Sequence, residues 1–303
     1  MHDIAIIGAG AAGLTAALYA LRANKSVVLI EKGSFGGQIT FSPLVENFPS
    51  QESLSGAELA DKLTEQVLGH GADVEIDTVL KIEDNGETKK VVGESGEYEA
   101  KAVIIATGAK HRMLGLPREA DFVGEGISFC AVCDGAFYKN KEVAVIGGGN
   151  SALQEAILLS DLCSKVTVVQ NLSDLTGEKK LADKLRAKEN VEIICDAVVA
   201  SFDGETELSG ITIKSEKDGS LSKLAVDGVF IAIGLVPQNE PFKDVIELNS
   251  YGYADSEENC ITKTEGIYVA GDCRKKAVRQ LTTACADGSV AALAACRYID
   301  DRA

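Results

Sequence analysis

The sequence predicts an α/β protein built from two Rossmann-like nucleotide-binding domains, the second inserted into the first, each with added antiparallel strands. Three observations carry that reading. A glycine-rich turn stands between an apolar strand and an alanine-rich helix at Gly8; the same plan returns 139 residues later at Gly147; and each half closes on an apolar strand that ends in glycine.

In chain order, "DIAIIGAGAAGLTAALYALRANKSVVLIEKG" (3–33) reads as strand, tight turn, helix, strand. In Gly8-x-Gly10-x-x-Gly13 the first glycine permits the turn, the second lets backbone amides approach a pyrophosphate, and the third lets helix and strand pack closely. Glu31 ends the second strand where a carboxylate accepts hydrogen bonds from ribose hydroxyls. A plain glycine turn in an α/β core needs no such acid, so the set points to a dinucleotide. "GADVEID" (71–77) alternates and is expected as an added antiparallel strand, and "AVIIATG" (102–108) closes the first half. "KEVAVIGGGNSALQEAILLSDLCSKVTVVQNL" (141–172) repeats the plan with Gly147-x-Gly149-x-x-Ala152, and the offset carries Glu31 onto Gln170. "ELSGITIKS" (207–215) is the matching added strand, and "GVFIAIG" (228–234) closes the second half. "GIYVAGDCRKKAVRQLTTACADGSVAALAACRYID" (266–300) then gives a strand, Gly271-Asp272 and a final helix. The expected division is 1–110 and 241–303 for the first domain and 111–240 for the second, with linkers near 109–116 and 235–243.

Composition narrows the function. In 303 residues, 46% hydrophobic and 25% charged content is that of a globular protein with room for two cores. No apolar run approaches the roughly 18 residues of a membrane span. The opening "MHDIAIIGAGAAG" has no basic leader, so a cytoplasmic protein is expected. A net charge of −16 argues against nucleic acid and anionic membranes as partners. The eight cysteines are scattered, unlike a disulfide framework, which fits a reducing compartment. His2, His70 and His111 form no cluster, so no metal is expected. Lys179-Lys180 and Arg274-Lys275-Lys276 read as solvated faces. "FCAVCDG" (129–135) sets Cys130 and Cys133 three apart with Asp134 behind them. Structural zinc wants four ligands, and no second close pair is present. A packing pair and a redox pair both remain open on the residues alone.

Together "GAGAAG", "GGQIT" (36–40), "VENFP" (45–49), "ATGA" (106–109), "CAVCDG" (130–135), "GGGNSA" (147–152), "GLVPQ" (234–238), "AGD" (270–272) and "RQLTTACADG" (279–288) resemble the low-molecular-weight thioredoxin reductases over essentially the whole chain. The resemblance implies FAD held by Gly8, Gly10, Gly13, Glu31, Gln38, Asn47, Thr107, Asp272, Arg279 and Gln280. It implies a homodimer, a middle domain that rotates, and a redox disulfide between Cys130 and Cys133. By the same resemblance Cys133 lies nearer the flavin and Cys130 meets thioredoxin. Thiolates at this spacing have lowered proton affinity, and Asp134 is placed to move the proton that each exchange needs. The other cysteines read as packing residues, with Cys273 expected close to the flavin.

The sequence departs from that family at one place. Members that use NADPH carry a His-Arg-Arg cluster after the second strand of the middle domain, with another arginine soon after. Here the stretch is Val169-Gln170-Asn171-Leu172-Ser173-Asp174-Leu175-Thr176, with no arginine before Arg186 and with Asp174 set to repel a phosphate. Lacking two arginine forks weakens NADPH binding by about 10²–10⁴-fold. An NADH site would carry a carboxylate where Gln170 stands. The chain thus looks like the ferredoxin-dependent branch, which takes electrons from reduced ferredoxin. The alternatives are an NAD(P)H enzyme with an atypical pocket and a non-catalytic flavin-binding interaction protein, which has no need of Cys130, Cys133 and Asp134.

Overall fold

A computed structural model describes residues 1–42 and 44–302. The chain forms two compact units, one from Met1–Lys110 with Val236–Ala303 and the other from His111–Leu235.

The first unit opens with β1 (His2–Ile7), α1 (Ala11–Arg22) and β2 (Val27–Glu31), followed by α2 (Gly56–Gly69) and β3 (Asp73–Ile76). Three further strands, β4 (Val79–Asp84), β5 (Lys89–Gly93) and β6 (Glu97–Ile105), complete its first segment. The sheet order is β3-β2-β1-β6-β5-β4. β1 is parallel to β2 and β6, whereas β4, β5 and the start of β6 run antiparallel. "GADVEID" departs from its expected direction: β3 pairs β2 in parallel, Val28 opposite Asp73. The reason is topological, because α2 precedes β3 and acts as a crossover, which returns the chain parallel. The added antiparallel strands of this unit are instead β4 and β5. α2 starts on a capping box, in which Ser55 Oγ accepts from Glu58 N at 3.1 Å and Glu58 Oε2 accepts from Ser55 N at 2.8 Å.

After β7 (Ala109–His111) the second unit carries β8 (Ile127–Ser128), the single turn α3 (Ala131–Asp134), β9 (Glu142–Ile146), α4 (Asn150–Ser160), β10 (Lys165–Val169), α5 (Lys179–Arg186) and β11 (Val191–Ile194). An antiparallel three-stranded sheet of β12 (Ala197–Gly204), β13 (Leu208–Ser215) and β14 (Leu221–Ala225) follows, then β15 (Gly228–Ile231). The main sheet has order β11-β10-β9-β15-β8 and is parallel throughout. Its central strands are near-continuous Val, Ile and Ala, as a sheet covered on both faces requires.

The return segment passes β16 (Leu235–Pro237), adds β17 (Ile267–Val269) parallel to the end of β6, and finishes in α6 (Leu281–Asp300). The alternation of β1 sorts the first unit's core into two layers. Ile4 and Ile6 pack with Leu14 of α1 and with Ala291, Ala295 and Ile299 of α6. Ala5 and Ile7 pack on the other face with Phe242, Ile246 and Val269. α1 and α6 approach so closely that a Cβ on Gly288 would lie 2.2 Å from the Ala12 carbonyl oxygen. No helix among the described residues is long and apolar enough to cross a membrane.

Candidate active site

The candidate residues divide between the two units. In the first, Gly8 has φ +104°, and a Cβ there would sit 2.5 Å from the Ala106 carbonyl oxygen. A Cβ on Gly13 would fall 1.8 Å from the Gly8 carbonyl oxygen. These two glycines therefore serve the protein's own backbone. Gly10 differs, since a Cβ there would meet nothing nearer than the Gly36 carbonyl oxygen at 3.9 Å. The chain's packing leaves open space at Gly10, as a backbone that receives a ligand does.

The polar groups around that turn fit the same purpose. Glu31 takes Ala9 N at 2.7 Å on one oxygen and Gly33 N at 2.9 Å on the other, which fixes its carboxylate at the end of β2 with lone pairs to spare. Thr107 Oγ1 and Asp272 Oδ1 are buried without a hydrogen-bond partner. Buried polar atoms are rarely left so unless a ligand completes them. Asn47 Nδ2 lies 3.3 Å from Gln280 Oε1, joining residues far apart in sequence. Arg279 donates to the carbonyls of Lys276 and Arg274 at 3.2 Å each and stacks 4.2 Å over the Tyr253 ring. Gln38 is exposed on the short helix Gly37–Phe41. The donors, the free acceptor atoms and the open glycine suit FAD.

A buried ion cluster supports the Gly271-Asp272 turn, and the sequence reading missed it. Asp287 of α6 accepts from Gly271 N at 3.0 Å, from Arg274 Nε and Nη2 at 2.8 Å each, and from Lys276 Nζ at 2.9 Å. Arg274 is 1% exposed, so the expectation that Arg274-Lys275-Lys276 forms a solvated face is corrected for two of the three. Only Lys275 points outward, where it pairs with Asp255 at 3.2 Å. Burial pushes the Asp272 carboxyl up in proton affinity, while the charges of Lys276, 3.7 Å away, and Arg279 oppose that shift. The signal for this cluster was an acid inside the small-residue run "ACADGSVAALAAC". Cys273 is fully buried beside it, within 3.5 Å of the Ile105 and Ala270 carbonyls. Burial raises its thiol to about 11, so it stays protonated.

In the second unit Cys130 and Cys133 are joined in a disulfide, with their Cα atoms 5.3 Å apart. Cys130 caps α3, and its Sγ and carbonyl oxygen both face Cys133 N at 3.2 Å. Asp134 ends the turn. Its Oδ2 accepts from Ser128 Oγ at 2.6 Å, and the same hydroxyl oxygen accepts from Cys130 N at 3.1 Å. Asp134 Oδ1 is buried without a partner. Burial raises the proton affinity of Asp134, and the Ser128 hydrogen bond only partly offsets that. His111 stacks on Phe129 at 4.6 Å, and burial drops its imidazole to about 4, which keeps it neutral.

The second glycine turn repeats the first. Gly147 has φ +127°, and a Cβ there would lie 2.6 Å from the Ala232 carbonyl oxygen, as Gly8 does against Ala106. At the end of β10, Gln170 is 3% exposed, and its Nε2 donates to the Asp174 carbonyl at 3.3 Å. Asn171, Leu172, Ser173 and Thr176 are exposed and uncharged. Arg186 is tied to the Asp174 carboxylate at 2.5 Å, which offsets the repulsion expected of Asp174. From Gln170 to Glu178 the chain carries no lysine or arginine, and the next cations, Lys179 and Lys180, are exposed at the start of α5.

Comparison with known proteins agrees with this geometry. Residues 2–288 match the family described as pyridine nucleotide-disulphide oxidoreductase. The chain is 43% identical over 298 residues to a Clostridium pasteurianum protein described as a 34.2 kDa protein in the rubredoxin operon, covering 98% of this chain and 97% of that one. It is 40% identical over 302 residues to the thioredoxin reductase of Bacillus subtilis, covering 99% and 96%. The crystal structure of thioredoxin reductase from Streptococcus pyogenes superposes with a TM-score of 0.95 at 42% identity, covering 99% of both chains. The chain belongs to the pyridine nucleotide-disulphide oxidoreductases, and within them to the low-molecular-weight thioredoxin reductases, a branch of FAD-dependent disulfide oxidoreductases.

Proposed function

We propose that this thioredoxin reductase draws its electrons from reduced ferredoxin and delivers them through FAD and the Cys130–Cys133 disulfide to thioredoxin. The observation that carries the choice of donor is the end of β10. Gln170 is buried there, its neighbours are neutral, and the nearest arginine is already paired with Asp174. Such a strand end has no free arginine fork for a 2′-phosphate and no carboxylate at Gln170 for a ribose diol.

FAD supplies a carrier that gathers single electrons and releases them as a pair. In this reading Gly8 and Gly13 shape the turn and Gly10 leaves room for the pyrophosphate. Glu31 takes ribose hydroxyls, and Thr107 and Asp272 give their unpartnered atoms to the flavin side. Gln38, Asn47, Arg279 and Gln280 complete the cradle. Cys133 exchanges electrons on the flavin side, Cys130 attacks the thioredoxin disulfide, and Asp134 holds or moves the proton. The driving force suffices: plant-type ferredoxin near −400 mV and thioredoxin near −270 mV differ by about 130 mV, or about 6 kcal/mol for two electrons.

One long-range term opposes the encounter, because −16 on this chain repels an acidic ferredoxin. Arg274 and Lys276 are spent on Asp287 and do not form a docking patch. Moderate salt is therefore expected to speed ferredoxin encounter. A second reading, slow NAD(P)H use through an atypical pocket, is favoured by the intact turn at Gly147–Ala152. The working form is taken to be a homodimer, which sedimentation reads directly.

The test of the disulfide route is Cys130→Ser and Cys133→Ser, assayed for appearance of thioredoxin thiols. Each variant is expected to keep FAD and lose turnover. Turnover retained in either variant sinks the assignment.

A further inference from the structure

Behind the disulfide lies a second carboxyl that the mechanism above does not use. Glu155 sits on α4, flanked by Ala152, Ala156 and Leu159, and these pack in one cluster with Ala131 of α3. Gly135, the residue after α3, lies so close to α4 that a Cβ there would touch Leu159 at 3.3 Å, and Leu162 just past the helix at the same distance. Glu155 Oε2 and Asp134 Oδ1 are both buried, and neither has a hydrogen-bond partner. Among the described residues neither carboxyl forms an ion pair. Two buried carboxylates without a cation resist being charged together.

We propose that Glu155 is a positioning carboxyl that acts through Asp134: the two share one proton in the oxidised enzyme, and Asp134 passes it to a cysteine sulfur when the disulfide opens. Ser128 fixes which end of Asp134 takes part. Its hydroxyl holds Oδ2 at 2.6 Å, leaving Oδ1 as the free oxygen.

The proposal rests on the reading of Cys130–Cys133 as the redox disulfide. Two-electron reduction breaks the S–S bond and places an electron pair on the sulfurs, the electrons coming from the reduced flavin. One proton passes from the carboxyl pair to one sulfur, which leaves a thiol, a thiolate and two charged carboxylates. Solvent then restores the proton to the pair. The affinities match, because burial and the Asp134 charge raise Glu155 to about 8, close to an ordinary thiol near 8.5, and transfer is efficient between matched groups.

The surrounding groups leave this titration to the pair. Burial and then the charges of Asp134 and Asp227 push the Tyr138 phenol up to about 12, and burial with the Asp227 charge pushes the Cys163 thiol up to about 11. Glu125 also acts on Tyr138, and Lys141 lies 5.5 Å from the Tyr138 ring centroid. α5, packed on α4, carries Lys179, Lys180, Asp183, Lys184 and Arg186, and none of these bonds either carboxyl.

The test uses the FAD-loaded protein and Glu155→Gln, which keeps the shape and removes the charge. Isotope-edited infrared spectra of the oxidised protein are expected to show a protonated carboxyl that titrates near pH 8. Glu155→Gln should lose that titration, because the carboxyl that burial and the Asp134 charge raise to about 8 is gone. In stopped-flow opening of the disulfide by dithiothreitol, the alkaline limb of the pH–rate profile should move down by about one pH unit or more, and Glu155→Asp should restore it. A limb that stays in place in Glu155→Gln, or a rate lowered equally at every pH, overturns the proposal. So does the absence of any carboxyl titrating above about pH 6 in the unmodified protein, whatever the variants do. Dithiothreitol also separates the two readings. A disulfide that never opens and closes sinks the redox reading and this proposal together, while one that opens with an unshifted profile sinks this proposal alone.

Discussion

Asp287→Asn isolates the support beneath the Gly271-Asp272 turn. The aspartate carries four hydrogen bonds, from Gly271 N, Arg274 Nε, Arg274 Nη2 and Lys276 Nζ, between 2.8 and 3.0 Å. Asparagine keeps the volume but removes the negative charge and turns an NH2 toward a cation. Arg274 then keeps Glu258 at 3.1 Å, a carboxylate whose side chain is 90% exposed, and Lys276 keeps only Asp272 at 3.7 Å. Breaking one partner out of a buried pair costs about 3–5 kcal/mol. Urea unfolding of the FAD-loaded and FAD-free proteins is the assay, with loss expected in both forms. Because Gly271 loses its acceptor, FAD affinity should fall as well. The pH dependence gives a second reading. Burial raises the Asp287 carboxyl, but hydrogen bonds from Arg274 and Lys276 outweigh that, so its folded-state affinity is depressed. Its contribution is therefore present above the unfolded value near 3.9 and is lost as pH falls through the folded value. Asp287→Asn should lack that acid-side loss. An unfolding midpoint that does not move would refute the claim that this cluster holds the turn.

Two further outcomes follow from the same geometry. Gly10→Val should fold, because no protein atom opposes its Cβ within 3.9 Å, yet purify without yellow colour; full flavin content in that variant removes Gly10 from the cradle. Asn171→Arg with Leu172→Arg adds two cations at exposed positions beside Gln170, and NADPH affinity measured by calorimetry should rise by about tenfold or more, while an unchanged affinity means that missing cations are not the barrier.

The parts of this protein that were readable in the sequence are those fixed by local backbone demands. A glycine turn after an apolar strand forces a positive φ at Gly8 and again at Gly147, so the duplicated plan could be placed without tertiary information. Strand direction could not. The alternation in "GADVEID" says that one face is buried but not which neighbour lies beside it, and α2 made β3 parallel. The charge run Arg274-Lys275-Lys276 misled for a related reason. Its neutralising partner Asp287 stands on another element, and the acid inside "ACADGSVAALAAC" does not by itself say which cations it meets. Glu155 escaped notice because a glutamate in an amphipathic helix ordinarily faces water. Only the fold shows that its Oε2 is buried.

The most direct measurement of the central claim is anaerobic. The yellow enzyme is mixed in a stopped-flow cell with NADPH, with NADH, or with reduced ferredoxin, and the loss of flavin absorbance is followed, then repeated with thioredoxin present. The account predicts fast bleaching and thioredoxin reduction with ferredoxin, faster still at moderate salt, and slow bleaching with either nicotinamide at millimolar concentration. Full turnover with NADPH saturating at micromolar concentration would contradict it and make NADPH the donor.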